Sequence, residues 1–341
     1  MIVWIAALGA GCSKDAPAPR AMPAALATER TLSLGRDTSE SPGDITYAAV
    51  GDAGIAIVDN ASRQLYGYTT GGRLRWRVPF GGGIEGRVRQ PNALSWFGDT
   101  LIVAEVDGNE GIWSIDERGI ARKVARLEIE TPVTSVQRVS DGYVVATTEA
   151  DSMFEVDSAL VVRYFDLQGQ EQRRGCRADP RYGASVRARG MTAIFRSFAA
   201  VVSADEVFCK QPLSGEVIVM APSLEERRRV PLPGWRMRED ARMSMDLLSI
   251  NHFRAKTVEW TGLWRSGSTL TLAGATYDAA LGRDRFAVLR CRDDGRAVCA
   301  TAAGEERVLG VLGDSVVTVV ARQALGAPIV LRVSTIVDGV L

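Results

Sequence analysis

The stretch PNALSWFGDTLIVAEVDGNEGIWSIDERG, Pro91 to Gly119, holds two apolar runs. A Gly98-Asp99 pair precedes the first, and an acidic loop containing Asn109 separates it from the second. Short apolar runs bounded by Gly and Asp turns read as β-strands. A turn followed by an extended apolar run then recurs along the chain. It stands at Asp52-Ala53-Gly54 before IAIVD, at Gly98-Asp99 before TLIVAE and at Asp141-Gly142 before YVVATT. It returns at Ala204-Asp205 before EVFCKQ, at Ser266-Gly267 before STLTLAGA and at Gly313-Asp314 before SVVTVV. Gly54 to Gly98 is 44 residues, Gly98 to Gly142 is 44, and Gly267 to Gly313 is 46. The two longer intervals carry extra loop-like sequence, CRADPRYGASVRARG in one and LPGWRMREDARMSMDLLSINHFRAK in the other.

Each unit shares more than its first turn. A second run ends in a further turn, seen in QLYGYTTGG, GIWSIDERG (Asp116, Gly119), VVRYFDLQG (Asp166, Gly169) and FAVLRCRDDG. About four strands in this length is the content of a propeller blade, a small twisted antiparallel sheet. One blade cannot bury both faces alone, so blades stack, and a closed ring leaves no exposed end. The expected fold is therefore all-β, a six-bladed β-propeller of four-stranded antiparallel blades. Its ends are expected to be closed by an N-terminal strand, RTLSL from Arg30 to Leu34, joining a last blade that ends in PIVLRVSTIV. The one helical candidate is PSLEERRRV, Pro222 to Val230.

The totals exclude several functions. Among 341 residues, Lys and Arg balance Asp and Glu at 41 each. That leaves no cationic excess for a nucleic-acid tract or a polybasic membrane surface. Nearly all the cations are arginine, a bias read as that of a high-GC genome, with guanidinium forks for anionic groups as the functional alternative. His252 is the only histidine, so a site with two His ligands on zinc is excluded within one chain.

The N-terminus, MIVWIAALGAGCSKDAPAPRAMPA, places an apolar run and small residues ahead of Cys12, then an Ala/Pro-rich segment. This resembles the lipobox of bacterial lipoproteins, with Ala10 and Gly11 at the small positions. It departs in having Gly9 rather than Leu three residues before the cysteine, and in lacking a basic residue ahead of the apolar run. The resemblance implies lipid attachment at Cys12 and residence in the cell envelope. Ser13 in place of Asp after that cysteine favours the outer membrane where one exists. The run is too short to span a bilayer. The organisation expected is a signal segment over 1–11, a tether over 12–27 and the propeller over 28–341.

Four cysteines remain, an even number that suits disulfides in an oxidising compartment such as the periplasm. Cys291 and Cys299 flank RDDGRAV, and a three-residue loop at Asp294 to Arg296 would set them directly opposite on paired strands. Cys176 and Cys209 pair by elimination.

The second unit resembles the six-bladed propellers of the NHL-repeat and TolB-like kind. The carrying residues are Gly81 to Gly86, Pro91, Gly98, Asp99, Asn109, Ile115, Asp116 and Gly119. Such motifs specify a fold and carry no catalytic signature, so function argued from them is analogy.

Two regions are candidates for binding. In EVDGNEG, Glu105, Asp107, Asn109 and Glu110 could place oxygens around a calcium ion, although Asp, Gly and Asn also suit an ordinary turn. In the insert from Leu232 to Lys256, Trp235 and His252 stand among methionines that could meet a partner or cap a blade. No catalytic residue is singled out and no cofactor is required, with a structural or channel-bound Ca2+ left open. The expectation is a monomeric, extracytoplasmic, lipid-anchored module that binds a small molecule or a protein. It would meet the membrane through its lipid alone and bind no nucleic acid. The alternative is a metal-dependent, lactonase-type hydrolase with its site in the central channel.

Overall fold

A computed structural model describes residues 21–37, 39–83, 86–105, 111–129, 131–147, 160–178, 198–233, 254–255, 258–292, 299–320 and 328–338. The elements it contains are all strands. After β1 (Ala21–Ser33), the first sheet is built in chain order from β2 (Tyr47–Gly51), β3 (Gly54–Asp59), β4 (Gln64–Tyr68) and β5 (Leu74–Pro79). The second holds β6 (Pro91–Phe97), β7 (Thr100–Glu105), β8 (Ile112–Ile115) and β9 (Ala121–Ala125). The third holds β10 (Val133–Val139), β11 (Gly142–Thr147), β12 (Leu160–Asp166) and β13 (Glu171–Arg177). The fourth holds β14 (Ala199–Val202), β15 (Val207–Lys210), β16 (Glu216–Met220) and β17 (Glu226–Pro231). An eight-stranded sheet follows. It joins β18 (Glu259–Ser266), β19 (Thr269–Asp278), β20 (Arg283–Arg292) and β21 (Cys299–Gly304) to β22 (Val308–Leu312), β23 (Ser315–Val319) and β24 (Val330–Asp338) through β1.

The recurring turn of the sequence is the first hairpin of each group. Phe97 pairs Thr100, Ser266 pairs Thr269 and Leu312 pairs Ser315, leaving two residues in each turn. Gly98, Gly267 and Gly313 hold the first turn position at φ of 55°, 55° and 58°. A II′ hairpin turn puts glycine there because its twist matches that of the strands. The third turn of the sheets repeats as well. Gly72, Gly119 and Gly169 take φ of 83°, 81° and 85° at equivalent places, and Leu224 takes 66° in the fourth sheet. Asp116 and Asp166 close two of these turns identically, each carboxylate accepting from the backbone N–H two and four residues on at 2.9–3.0 Å.

PSLEERRRV is not a helix. Ala221–Glu225 forms the turn, and Glu226–Pro231 is β17, paired antiparallel to β16. Packing of Val230 into the apolar core overrides the helical propensity of its Glu and Arg neighbours. The N-terminal strand is also longer than RTLSL. β1 starts at Ala21, inside the segment read as a tether, and pairs antiparallel with β24 from Ala24↔Asp338 to Ser33↔Val330.

The first strands of the groups touch in sequence. β2 meets β6, β6 meets β10, β10 meets β14, β14 meets β18, β18 meets β22, and β22 returns to β2. Apolar clusters fill the spaces between successive groups. One packs Leu65 and Trp76 against Leu101 and Trp113, and another packs Leu34 and Ile57 against Leu331. Full burial of each such aliphatic side chain stabilises by about 1.5–3 kcal/mol. With these stacked four-stranded antiparallel sheets, the architecture is that of a β-propeller.

The outer strands carry some of the arginine. β5 carries Arg75 and Arg77, β9 Arg122 and Lys123, β13 Arg173 and Arg174, and β17 Arg227, Arg228 and Arg229. Each also has a register shift that leaves one residue unpaired: Arg75, Val124, Gln172 and Arg227. Charges and bulges both blunt an edge against pairing with another chain. β21, CATAAG, has no charge, and its edge is the one that β1 covers, Ala21–Pro23 lying parallel to Cys299–Thr301.

Both disulfides are formed. Cys291 and Cys299 stand opposite one another on β20 and β21, as the Arg290↔Ala300 pairing requires. Residues 293–298 between them lie outside the described residues. Cys176 on β13 and Cys209 on β15 join the third sheet to the fourth.

Candidate ligand-binding mouth

Bulges recur on the innermost strands at one end of the channel. Register shifts in β6, β10, β18 and β22 leave Asn92, Thr134, Thr261 and Leu309 without a partner across the hairpin. All four line one cavity of ≈ 420 Å3. A bulge re-aims a side chain and is over-represented beside functional sites. Three of the four are polar, and each stands six residues before the first residue of its turn, at Gly98, Ser140 and Gly267.

These side chains are braced. Asn92 Nδ2 donates to Val133 O, Thr134 Oγ1 to Ala146 O at 3.2 Å, and Thr261 Oγ1 to Ala273 O at 3.4 Å. The Asn92 Oδ1 and both hydroxyl oxygens keep acceptor capacity. Ser135 Oγ, on the same wall, accepts from Ala200 N at 2.9 Å.

Charge enters from the fifth and last groups of strands. Arg254 Nη2 reaches both oxygens of Asp284, at 2.8 and 2.9 Å. Arg307 donates to Ile45 O at 3.0 Å and Thr46 O at 3.2 Å. Burial lowers the Arg307 pKa, and Asp44 opposes that shift. Glu259 also lines the cavity. Behind it, fully buried Lys210 donates from Nζ to Trp260 O. Burial brings the Lys210 ammonium down to about 7, against the pull of Glu259 in the other direction. A buried, shifted lysine next to a cavity is a mark of functional sites, although ionic networks in structural positions produce it too.

A second cavity of ≈ 570 Å3 continues along the inner strands to the hairpin-turn end. The two share Ala48, Leu94, Thr134, Ser135 and Trp264.

Of the residues expected from sequence, Glu105 is described. It ends β7 opposite Pro91, beside the bulged Asn92. Its side chain is buried, and Oε1 accepts from Arg89 N at 2.5 Å, so it braces the chain before β6. Asp107, Asn109, Glu110, Trp235, His252 and Cys12 lie outside the described residues. Among the described residues, no group of three His, Cys, Asp or Glu side chains is placed to hold a metal ion. The bulged residues went unnoticed in the sequence. The available signal was a polar residue at a constant distance ahead of each hairpin turn.

By sequence the chain matches no family model and no curated protein. By structure it is similar to a member of the DUF4221 family from Bacteroides vulgatus, with a TM-score of 0.61 at 9% identity, over 94% of this chain and 100% of that one. It is also similar to a Bacteroides fragilis chain described as a "putative exported protein", with a TM-score of 0.59 at 9% identity, over 92% of this chain and 95% of that one. At that identity the likeness is one of fold.

Proposed function

We propose that the chain is an exported six-bladed β-propeller that binds a small molecule or a protein segment at the channel mouth ringed by Asn92, Thr134 and Thr261. β1 closes the ring as the outer strand of the last blade, and Cys12 carries the lipid that anchors the protein in the envelope. The carrying observation is the repeated bulge. The inner strands of three blades each turn a polar side chain toward one cavity, a regularity that hairpin formation does not require. Closure is supported by the return contact of β22 with β2 and by the pairing of β1 with β24. Export is supported by two disulfides, by the lipobox-like start and by the description of the Bacteroides fragilis neighbour.

A photo-crosslinking amino acid placed at Thr261 or Thr134, in protein expressed in a bacterial envelope, should give discrete adducts. The same group at Arg122, on the outer edge, should give none. Adducts from Arg122 and none from the mouth would sink the reading. Metabolic labelling with a radioactive fatty acid, lost in Cys12→Ser, tests the anchor separately.

A further inference from the structure

A further cavity opens at the hairpin-turn end of the third and fourth sheets, with a volume of ≈ 500 Å3, and adjoins the channel through Gln137 and Val202. Val139, Val144, Val202 and Val207 form an apolar patch in its lining, Gln137, Ser140 and Ser203 a polar one, and Arg138 and Arg173 stand beside them. The four turns around it are all among the described residues.

Both guanidinium groups are held by aromatic rings. Arg138 lies between Phe97 and Tyr143, 5.5 and 5.0 Å from their centroids, and donates from Nη1 to Gly142 O at 2.8 Å. Arg173 lies 4.7 Å from the Tyr164 centroid and donates from Nη1 to Pro222 O at 3.0 Å. That leaves Arg173 Nε and Nη2 without a partner among the described residues. These two N–H groups form one edge of the guanidinium plane, the edge that meets a carboxylate through two parallel hydrogen bonds. The single carboxylate in the lining, Asp141, is already engaged by the Tyr164 hydroxyl. The cavity therefore presents two cations, one acid that is hydrogen-bonded, and a patch of four valines among uncharged polar residues.

We infer that this cavity binds an amphiphilic carboxylate, its head group on the Arg173 edge and its hydrocarbon body against the valines. The valine patch supplies affinity and the guanidinium fork supplies selectivity for a planar anion over a neutral head of the same size. Arg173 acts here as a ligand-binding residue, independent of the channel mouth.

Isothermal titration of the disulfide-intact protein with octanoate, octanamide and octyl phosphate tests this. Octanoate should bind about tenfold or more tighter than octanamide, a difference of one charge-assisted head-group contact. Arg173→Met keeps the apolar stem and should weaken octanoate by a similar factor while leaving octanamide unchanged. Arg173→Lys should fall between the two. Because Arg173 is exposed, neither variant threatens the core, and circular dichroism checks the fold. Octanoate binding no tighter than octanamide, or undiminished in Arg173→Met, overturns the inference. Octyl phosphate binding as tightly as octanoate overturns the carboxylate assignment.

Discussion

Cys176 and Cys209 are bonded across the boundary between the third and fourth sheets, from the outer strand of one to the second strand of the next. The other disulfide, Cys291–Cys299, stays within a single sheet. The two therefore close chain loops of very different length, with separations of 33 and 8 residues. Loop-closure entropy stabilises by about 4 kcal/mol in the first case and about 2.5 kcal/mol in the second. Paired Cys→Ala variants at 176/209 should lose more stability in urea than those at 291/299. The reverse order would mean that strain or local packing outweighs the entropy of the unfolded chain.

Asp59 should be a strong determinant of stability. Its buried carboxylate accepts from Gly43 N at 2.6 Å, Ser62 Oγ at 2.7 Å, Ala61 N at 2.9 Å and Ser62 N at 3.1 Å. Burial pushes its pKa up, and the bonds from Ser62, Gly43 and Ala61 outweigh burial and hold it below the usual carboxylate value. Its contribution is therefore complete above the unfolded-state pKa of about 3.9 and is lost as pH falls through the lower folded-state value. Asp59→Ala should cost about 3 kcal/mol at neutral pH by orphaning these donors. It should also flatten the acid limb of the stability curve. Urea midpoints between pH 3 and pH 7 would expose an unchanged acid limb.

Lys210 has the opposite pH signature. Its folded-state pKa of about 7 lies below that of a free lysine, so between these values the unfolded chain binds more protons. Stability should rise as pH increases from 7 toward 10, because the folded protein no longer holds a buried charge there. Lys210→Met should remove that rise and raise the melting temperature at pH 6, where the wild-type ammonium is buried and charged. A Lys210→Met protein that keeps the wild-type rise between pH 7 and pH 10 would assign it to another group.

Two glycines with positive φ should respond unequally to alanine. At Gly98 an added Cβ meets nothing within 4 Å, so Gly98→Ala should cost only the conformational penalty of about 1–2 kcal/mol. At Gly169 the same atom would fall 2.1 Å from Arg126 O, on backbone that must then move. Gly169→Ala should therefore cost clearly more in thermal unfolding. Equal losses would mean that the turn at Gly169 shifts freely.

The repeated turns were legible in the sequence because each needs a residue that tolerates positive φ or closes its own hydrogen bonds. Gly98, Gly267, Gly313, Asp116 and Asp166 mark their places by chemistry alone. Leu224 hides the same turn in the fourth sheet behind a residue that does not suit it, and PSLEERRRV consequently read as helix. The mouth was harder to see. Asn92, Thr134 and Thr261 are ordinary polar residues, and only pairing across the hairpin leaves them without a partner.

By itself, then, the sequence determined the all-β class, the period, the places of the turns marked by glycine and aspartate, and the four-cysteine framework, since these follow from alternation, glycine and spacing. The tertiary structure decided which strand ends gather around one channel and that Glu105 is a buried brace. It also decided that β1 covers the uncharged edge of β21 and that arginines stand on the edges left open. Those features depend on residues far apart in the chain meeting through sheet stacking, and no local pattern encodes that meeting.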